Sequence, residues 1–160
     1  MKPMNRLAGA MVLALVAALA AGCDSTPTAT KDEPMAAAIS CTVSTAGAYT
    51  LTFTGAGYSA AHPQQTLRAA LINNSSGGRV AVCSGVLSGD PLTINFGGVL
   101  AASTSYNLNY YVDVNGTGTC NAPPTDHAWQ DVIAAGIVNV TINRPHDLIF
   151  TDVCATNFAP

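Results

Sequence analysis

From residue 39 onward, polar and apolar residues alternate with a period of two over short runs. ISCTVST (39–45), AYTLTFTG (48–55), TLRAALIN (66–73), RVAVCSG (79–85), PLTINFG (91–97), SYNLNYYVDV (105–114), IVNVTIN (137–143) and DLIFTDV (147–153) all carry β-branched or aromatic residues. Turn-forming clusters separate them, among them Ala46-Gly47, Asn74-Ser75-Ser76-Gly77-Gly78, Ser88-Gly89-Asp90-Pro91 and Asn143-Arg144-Pro145. Successive side chains of a strand point to opposite faces, so the alternation selects an inner face. Tyr49, Leu51 and Phe53 share one side of their strand; Leu92, Ile94 and Phe96 share another, as do Tyr106, Leu108 and Tyr110. Those sides should form the core. Short strands at this spacing predict an all-β fold, a single antiparallel β-sandwich over residues 39–160. HAWQDVIAAG is ambiguous, because Trp129, Val132 and Ile133 fit a helical turn as well as an irregular strand; it is read here as strand.

The N-terminus departs from this pattern. Lys2 and Arg6 precede an uncharged apolar run from Leu7 to Gly22, which ends in small residues before Cys23. That is the layout of a secretory signal peptide, residues 1–22. The run is shorter than the roughly 20 apolar residues of a transmembrane helix. Leu19-Ala20-Ala21-Gly22-Cys23 resembles the bacterial lipobox. The resemblance implies cleavage before Cys23 and a palmitate-type lipid anchor on it. Acyl chains hold a membrane with about 0.8 kcal/mol per buried methylene, and stable anchoring takes more than one chain. The following DSTPTATKDEPMAAA lacks alternation and apolar content, so residues 23–38 read as the lipidated cysteine and a flexible tether. The membrane is therefore an expected partner. The expected location is the bacterial cell envelope, on a membrane facing the periplasm or the exterior.

Charge narrows the partners further. All nine acids but only four of six bases (Lys31, Arg68, Arg79, Arg144) lie beyond residue 22, which argues against nucleic acid. Charged residues make up only 9 % of the chain, and Thr, Ser, Asn, Ala and Gly are abundant. Of five cysteines, Cys23 is assigned to lipid, leaving Cys41, Cys83, Cys120 and Cys154 for an oxidising compartment. With no Cys-x-x-Cys element they read as two disulfides rather than a zinc site. Three connectivities are open, and Cys41 with Cys83 and Cys120 with Cys154 is preferred. An up-and-down strand count puts all four near one end of the sandwich, beside the loop at 113–129.

That loop, DVNGTGTCNAPPTDHAW, places Asp113, Asn115 and Thr117 at alternating positions with Gly118 sixth, like the front half of an EF-hand. The back half differs, with Pro124 where a bidentate Glu belongs. A weak calcium site recruiting Asp113, Asn115, Asn121 and Asp126 competes with a plain turn. In the turn reading, Asn115-Gly116 makes a primed hairpin and Asp113 caps backbone amides. The run YYVDVNGTGTCNAPPTDHAW resembles a recurrent bacterial extracytoplasmic pattern: an aromatic strand, Asp-x-Asn-Gly-x-Gly, a proline pair, then Asp-His-x-Trp. The resemblance implies an immunoglobulin- or transthyretin-like sandwich with no activity attached. Within it, Trp129 buries its ring in or beside the core, and Asp126 orients His127 or caps the turn.

Catalytic motifs are scarce. No Gly-x-Ser-x-Gly elbow is present, and the three histidines, His62, His127 and His146, lie far apart without ligand spacing. They are read as solvent-facing or capping residues. The expectation is a membrane-anchored envelope lipoprotein acting as a non-enzymatic binding or structural module, with no cofactor beyond a weak calcium ion. An envelope protein or glycan is the expected partner. The contact surface is placed at the 113–129 end, with His127, Trp129, Tyr58 and His62 as candidates. The alternatives are a calcium-stabilised adhesion or glycan-binding module, and a hydrolase or metalloenzyme using His127 and Asp126.

Overall fold

The computed structural model describes residues 39–158. The expected signal peptide, the expected lipidation at Cys23 and the expected tether to residue 38 lie outside the described residues. Eight strands and two short helices follow one another. They are β1 (Ser40–Val43), β2 (Tyr49–Gly55), α1 (Tyr58–Ala61), β3 (Thr66–Asn73), β4 (Arg79–Val86), β5 (Leu92–Leu100), β6 (Thr104–Asp113), β7 (His127–Ala135), β8 (Val140–Asn143) and α2 (Cys154–Asn157). The fold is all-β. One sheet has five strands in the order β1-β4-β3-β6-β7, and the other has three in the order β5-β2-β8. Every pairing is antiparallel except β2 with β8, which run parallel.

The two sheets share one core. Leu51, Phe53, Leu92, Ile94 and Phe96 of the small sheet and Leu67, Leu71, Tyr106, Leu108, Tyr110 and Trp129 of the large one are all buried in it. These include nearly all the inner-face residues that alternation selects; Tyr49 packs against the cluster from its margin, half-buried. Residues 127–135 are a strand whose odd positions turn inward: Trp129, Asp131, Ile133 and Ala135 are buried, and Val132 is 73 % exposed.

A second cluster covers the outer face of the large sheet, where Tyr111, Ala128 and Val153 are buried beneath Cys120 and Phe158. The C-terminal segment thus hides a face that strand alternation leaves open, so β6 is buried on both sides over its second half. The Cys120–Cys154 bridge fastens this cover, joining the loop after β6 to the start of α2.

The other bridge, Cys41–Cys83, staples β1 to β4 at a register pair. The preferred pairing therefore matches the geometry, but the grouping of both bridges at one end does not. Cys83 lies opposite Ala69 and Ala69 opposite Tyr110, a level inside the sheet rather than at its rim. Residues 147–153, expected as a strand, belong to neither sheet. Leu148 and Ile149 are 73 % and 80 % exposed, and the segment meets β7 through the Thr151 N–H donating to the Ala128 carbonyl. Alternation here reports an extended chain lying over the sheet's edge, not a laddered strand.

Candidate metal centre

Five chain segments meet at one end of the sandwich. β2 and β8 finish there, β3 and β7 begin there, and β6 runs into its loop there. Each histidine is delivered to this end by a different device. His62 caps the C-terminus of α1, its N–H donating to the Tyr58 carbonyl at 2.8 Å. The helix is launched by Gly57 at φ +84°, a conformation that suits glycine, and the Gly57 N–H is held by both Asp90 carboxylate oxygens at 2.8 and 2.9 Å. His127 is the first residue of β7, opposite Val112. His146 comes from the extension of β8 along β2: after Asn143 pairs with Thr54, the Arg144 N–H donates to Thr54 and the His146 N–H to Ala56.

Far apart in sequence, the three rings converge. The Nε2 of His62 lies 3.1 Å from the Nε2 of His146 and 3.1 Å from the Nδ1 of His127. One ligand-type nitrogen from each ring falls within 4.8 Å of the others. These residues are thus not separate and solvent-facing: His62, which does cap a helix, meets the other two. His62 is buried at 4 % exposure, while His127 and His146 are half-buried.

The tautomer of the central ring follows from its neighbour. His62 Nδ1 lies 2.8 Å from Gln65 Oε1, and the Gln65 amide nitrogen in turn donates to the Val114 carbonyl at 3.4 Å. That orientation makes Gln65 an acceptor, so Nδ1 carries the proton and Nε2 presents its lone pair to the other two rings. A single lone pair can take one linear N–H donor, not two. A cation at the centre satisfies all three nitrogens together. Tetrahedral zinc with Zn–N bonds of about 2.0–2.1 Å places its ligand nitrogens roughly 3.3 Å apart, close to the 3.1 Å that separates His62 Nε2 from each of the other two nitrogens. An outer partner that fixes ring and tautomer, as Gln65 does, is a recurrent feature of histidine metal sites.

Burial lowers the proton affinity of His62 below its ordinary value, and the neighbouring His127 and His146 add to the effect despite the Gln65 hydrogen bond. Burial likewise lowers that of His127, with His146 contributing and Asp126 opposing. Both changes favour the neutral imidazole, the form that binds metal. Behind the cluster stands an aromatic wall. Phe150 stacks on His127 at 4.2 Å, and Trp129 and Tyr58 meet His146 edge-on at 5.5 and 5.3 Å. Burial pushes the Tyr58 phenol up to about 12 and raises Tyr110 as well, so both stay neutral. Tyr110 donates to Asp131 at 3.0 Å, and Asp131 is ion-paired with Arg144.

The residues proposed for the contact surface do gather at this end, but two of them are walls. Tyr58 and Trp129 are 0 % and 4 % exposed. His146 was missed as a partner because nothing local marks it. Only the parallel pairing of β8 with β2 carries it to the other two.

The oxygen-rich loop is built differently. Asp113 accepts from the Thr117 N–H at 3.1 Å and the Gly118 N–H at 2.8 Å, one on each carboxylate oxygen. Asp126, fully buried, accepts from the Val114 and Asn121 N–H groups at 2.9 and 2.8 Å. Asn115 donates its amide to Asn121 Oδ1 at 3.0 Å. All four side chains knit the loop to itself, and Asp126 serves the backbone.

Compared with known protein families, curated proteins and solved structures, this chain matches none.

Proposed function

We propose that the protein is a membrane-anchored cell-envelope lipoprotein whose immunoglobulin- or transthyretin-like sandwich is a non-enzymatic module that binds a divalent transition-metal ion. The observation that carries the metal reading is the meeting of three imidazole nitrogens, with His127 Nδ1 and His146 Nε2 each 3.1 Å from His62 Nε2. Imidazole donors suit zinc and copper, whereas calcium and magnesium prefer oxygen ligands. The envelope location draws support from the signal-like N-terminus, the lipobox resemblance and two disulfides of a kind that persist in oxidising compartments. The non-enzymatic reading draws support from Asp126, whose carboxylate oxygens are committed to the Val114 and Asn121 amides rather than to activating His127.

Titration calorimetry of the purified domain with Zn²⁺ and Cu²⁺ tests the metal. One equivalent is expected to bind, and H146A is expected to lose the binding. Failure of both ions to bind overturns the reading. The single tryptophan offers a second readout, since Trp129 lies against His127 and His146 and its fluorescence should be quenched by Cu²⁺.

A further inference from the structure

Resting on that reading, we infer that the metal keeps one exchangeable coordination position, and that the ligand it takes there is a small anion from solution. Three protein donors are available among the described residues: the cluster consists of His62, His127 and His146 alone, with no cysteine or carboxylate joining it. Closed structural zinc sites use four protein ligands; sites with three keep the fourth position for water or an incoming ligand. Burial gives the cluster a direction. His62 is the buried member, and His127 and His146 are half-buried, so the ion sits toward the rim of the sandwich rather than inside the core.

Charge selects the class of ligand. Imidazole ligates a metal in its neutral form, so none of the three donors offsets the charge of a bound dication. Two carboxylates adjoin the cluster in sequence, but neither is among its donors, and their hydrogen bonds orient them without removing their charge. Asp126 accepts from two backbone amides. Asp147 accepts on one oxygen from the Trp129 indole N–H at 3.2 Å and the Ile149 N–H at 2.9 Å. The wall on that side is apolar and aromatic, with Trp129, Phe150 and Tyr58 packed around the rings. A low-polarity wall strengthens the attraction between a dication that has no anionic ligand and an incoming anion. A monodentate anion such as azide or a carboxylate should therefore bind in preference to a neutral oxygen donor of the same shape.

The test uses the disulfide-intact domain loaded with Co²⁺, whose visible bands report coordination number and ligand type. Azide and acetate are expected to shift the bands in a saturable way with cobalt still bound at one equivalent. Acetamide, the neutral isostere of acetate, is expected to need about tenfold more for half-saturation. Spectra that stay unchanged under saturating azide, with cobalt bound, would show a closed site and overturn this inference alone. Equal responses to acetate and acetamide would overturn the charge selection. Absence of any cobalt, zinc or copper binding would overturn the metal reading and this inference with it. In Q65A, which leaves all three ligands in place, retention of cobalt with the same azide shift would support the inference, whereas loss of the azide response with cobalt retained would count against it.

Discussion

The loop at 113–126 and the histidine cluster lie at the same end of the sandwich and are both rich in potential ligand atoms, yet they are organised in opposite ways. In the loop each carboxylate oxygen of Asp113 and Asp126 already accepts a backbone N–H. In the cluster, Gln65 ties down the outer nitrogen of His62 and leaves its inner nitrogen facing two others. The difference teaches that donor density is a poor guide to a binding site. What matters is whether the donors are already satisfied by the fold. A buried carboxylate that accepts amides stabilises a loop; three converging ring nitrogens that one shared N–H cannot satisfy together offer donors to a cation.

The sharpest way to probe the loop side is to cut its staple. The Cys120–Cys154 bridge closes a separation of 34 residues, for which chain entropy gives a stabilisation of about 4 kcal/mol. Replacing both cysteines by alanine should lower the unfolding free energy in urea by about that much. The Cys41–Cys83 pair, closing 42 residues, should cost about the same.

Next in size is Asp126→Ala, which removes two charge-assisted hydrogen bonds of a fully buried carboxylate and leaves the half-buried Val114 and Asn121 amides without their acceptor. A loss of about 3 kcal/mol is expected by denaturant unfolding. A loss below about 0.5 kcal/mol would mean that the carboxylate is not a structural acceptor at all.

The third measurement sets the two regions against each other. Zn²⁺ at a hundredfold excess over its dissociation constant should stabilise the native domain by about 2.7 kcal/mol. Calcium at several millimolar should leave the thermal midpoint unchanged, because the loop's acidic oxygens already have donors. A calcium-dependent rise would restore the loop as an ion site and reverse the comparison.

The smallest effect concerns protons in the metal-free domain. Burial lowers the proton affinities of His62 and His127 below their unfolded values, so the unfolded chain binds more protons in that interval. Their contribution is fully present above the ordinary histidine value of about 6.5 and is lost as pH falls from there through the folded values. Unfolding midpoints measured between pH 7.5 and 5 should decline accordingly, and H127A should flatten the decline.

Much of the architecture is legible along the chain. Period-two alternation marks seven of the eight strands, all but the ambiguous 127–135, because a pleated strand with one buried face must place its apolar residues at every second position, as Leu92, Ile94 and Phe96 do. It misleads at 147–153, since an extended segment lying on a sheet's edge alternates in the same way without a ladder. The second burial layer, with Tyr111 covered by Val153 and Phe158, is also hidden, because it depends on where a distant tail comes to rest.

The amino-acid sequence by itself determined most of the strands, their inner faces and the thiols available for bridging, all properties set by neighbours a few residues away. Only the tertiary structure decided which histidines meet. His146 reaches the other two because β8 pairs in parallel with β2, and His62 because a one-turn helix after Gly57 turns the chain back over the same end. Strand order and direction are set by the packing of two whole sheets against each other. A site assembled from a helix end, the start of one strand and the extension of another therefore leaves no local mark in the order of its residues.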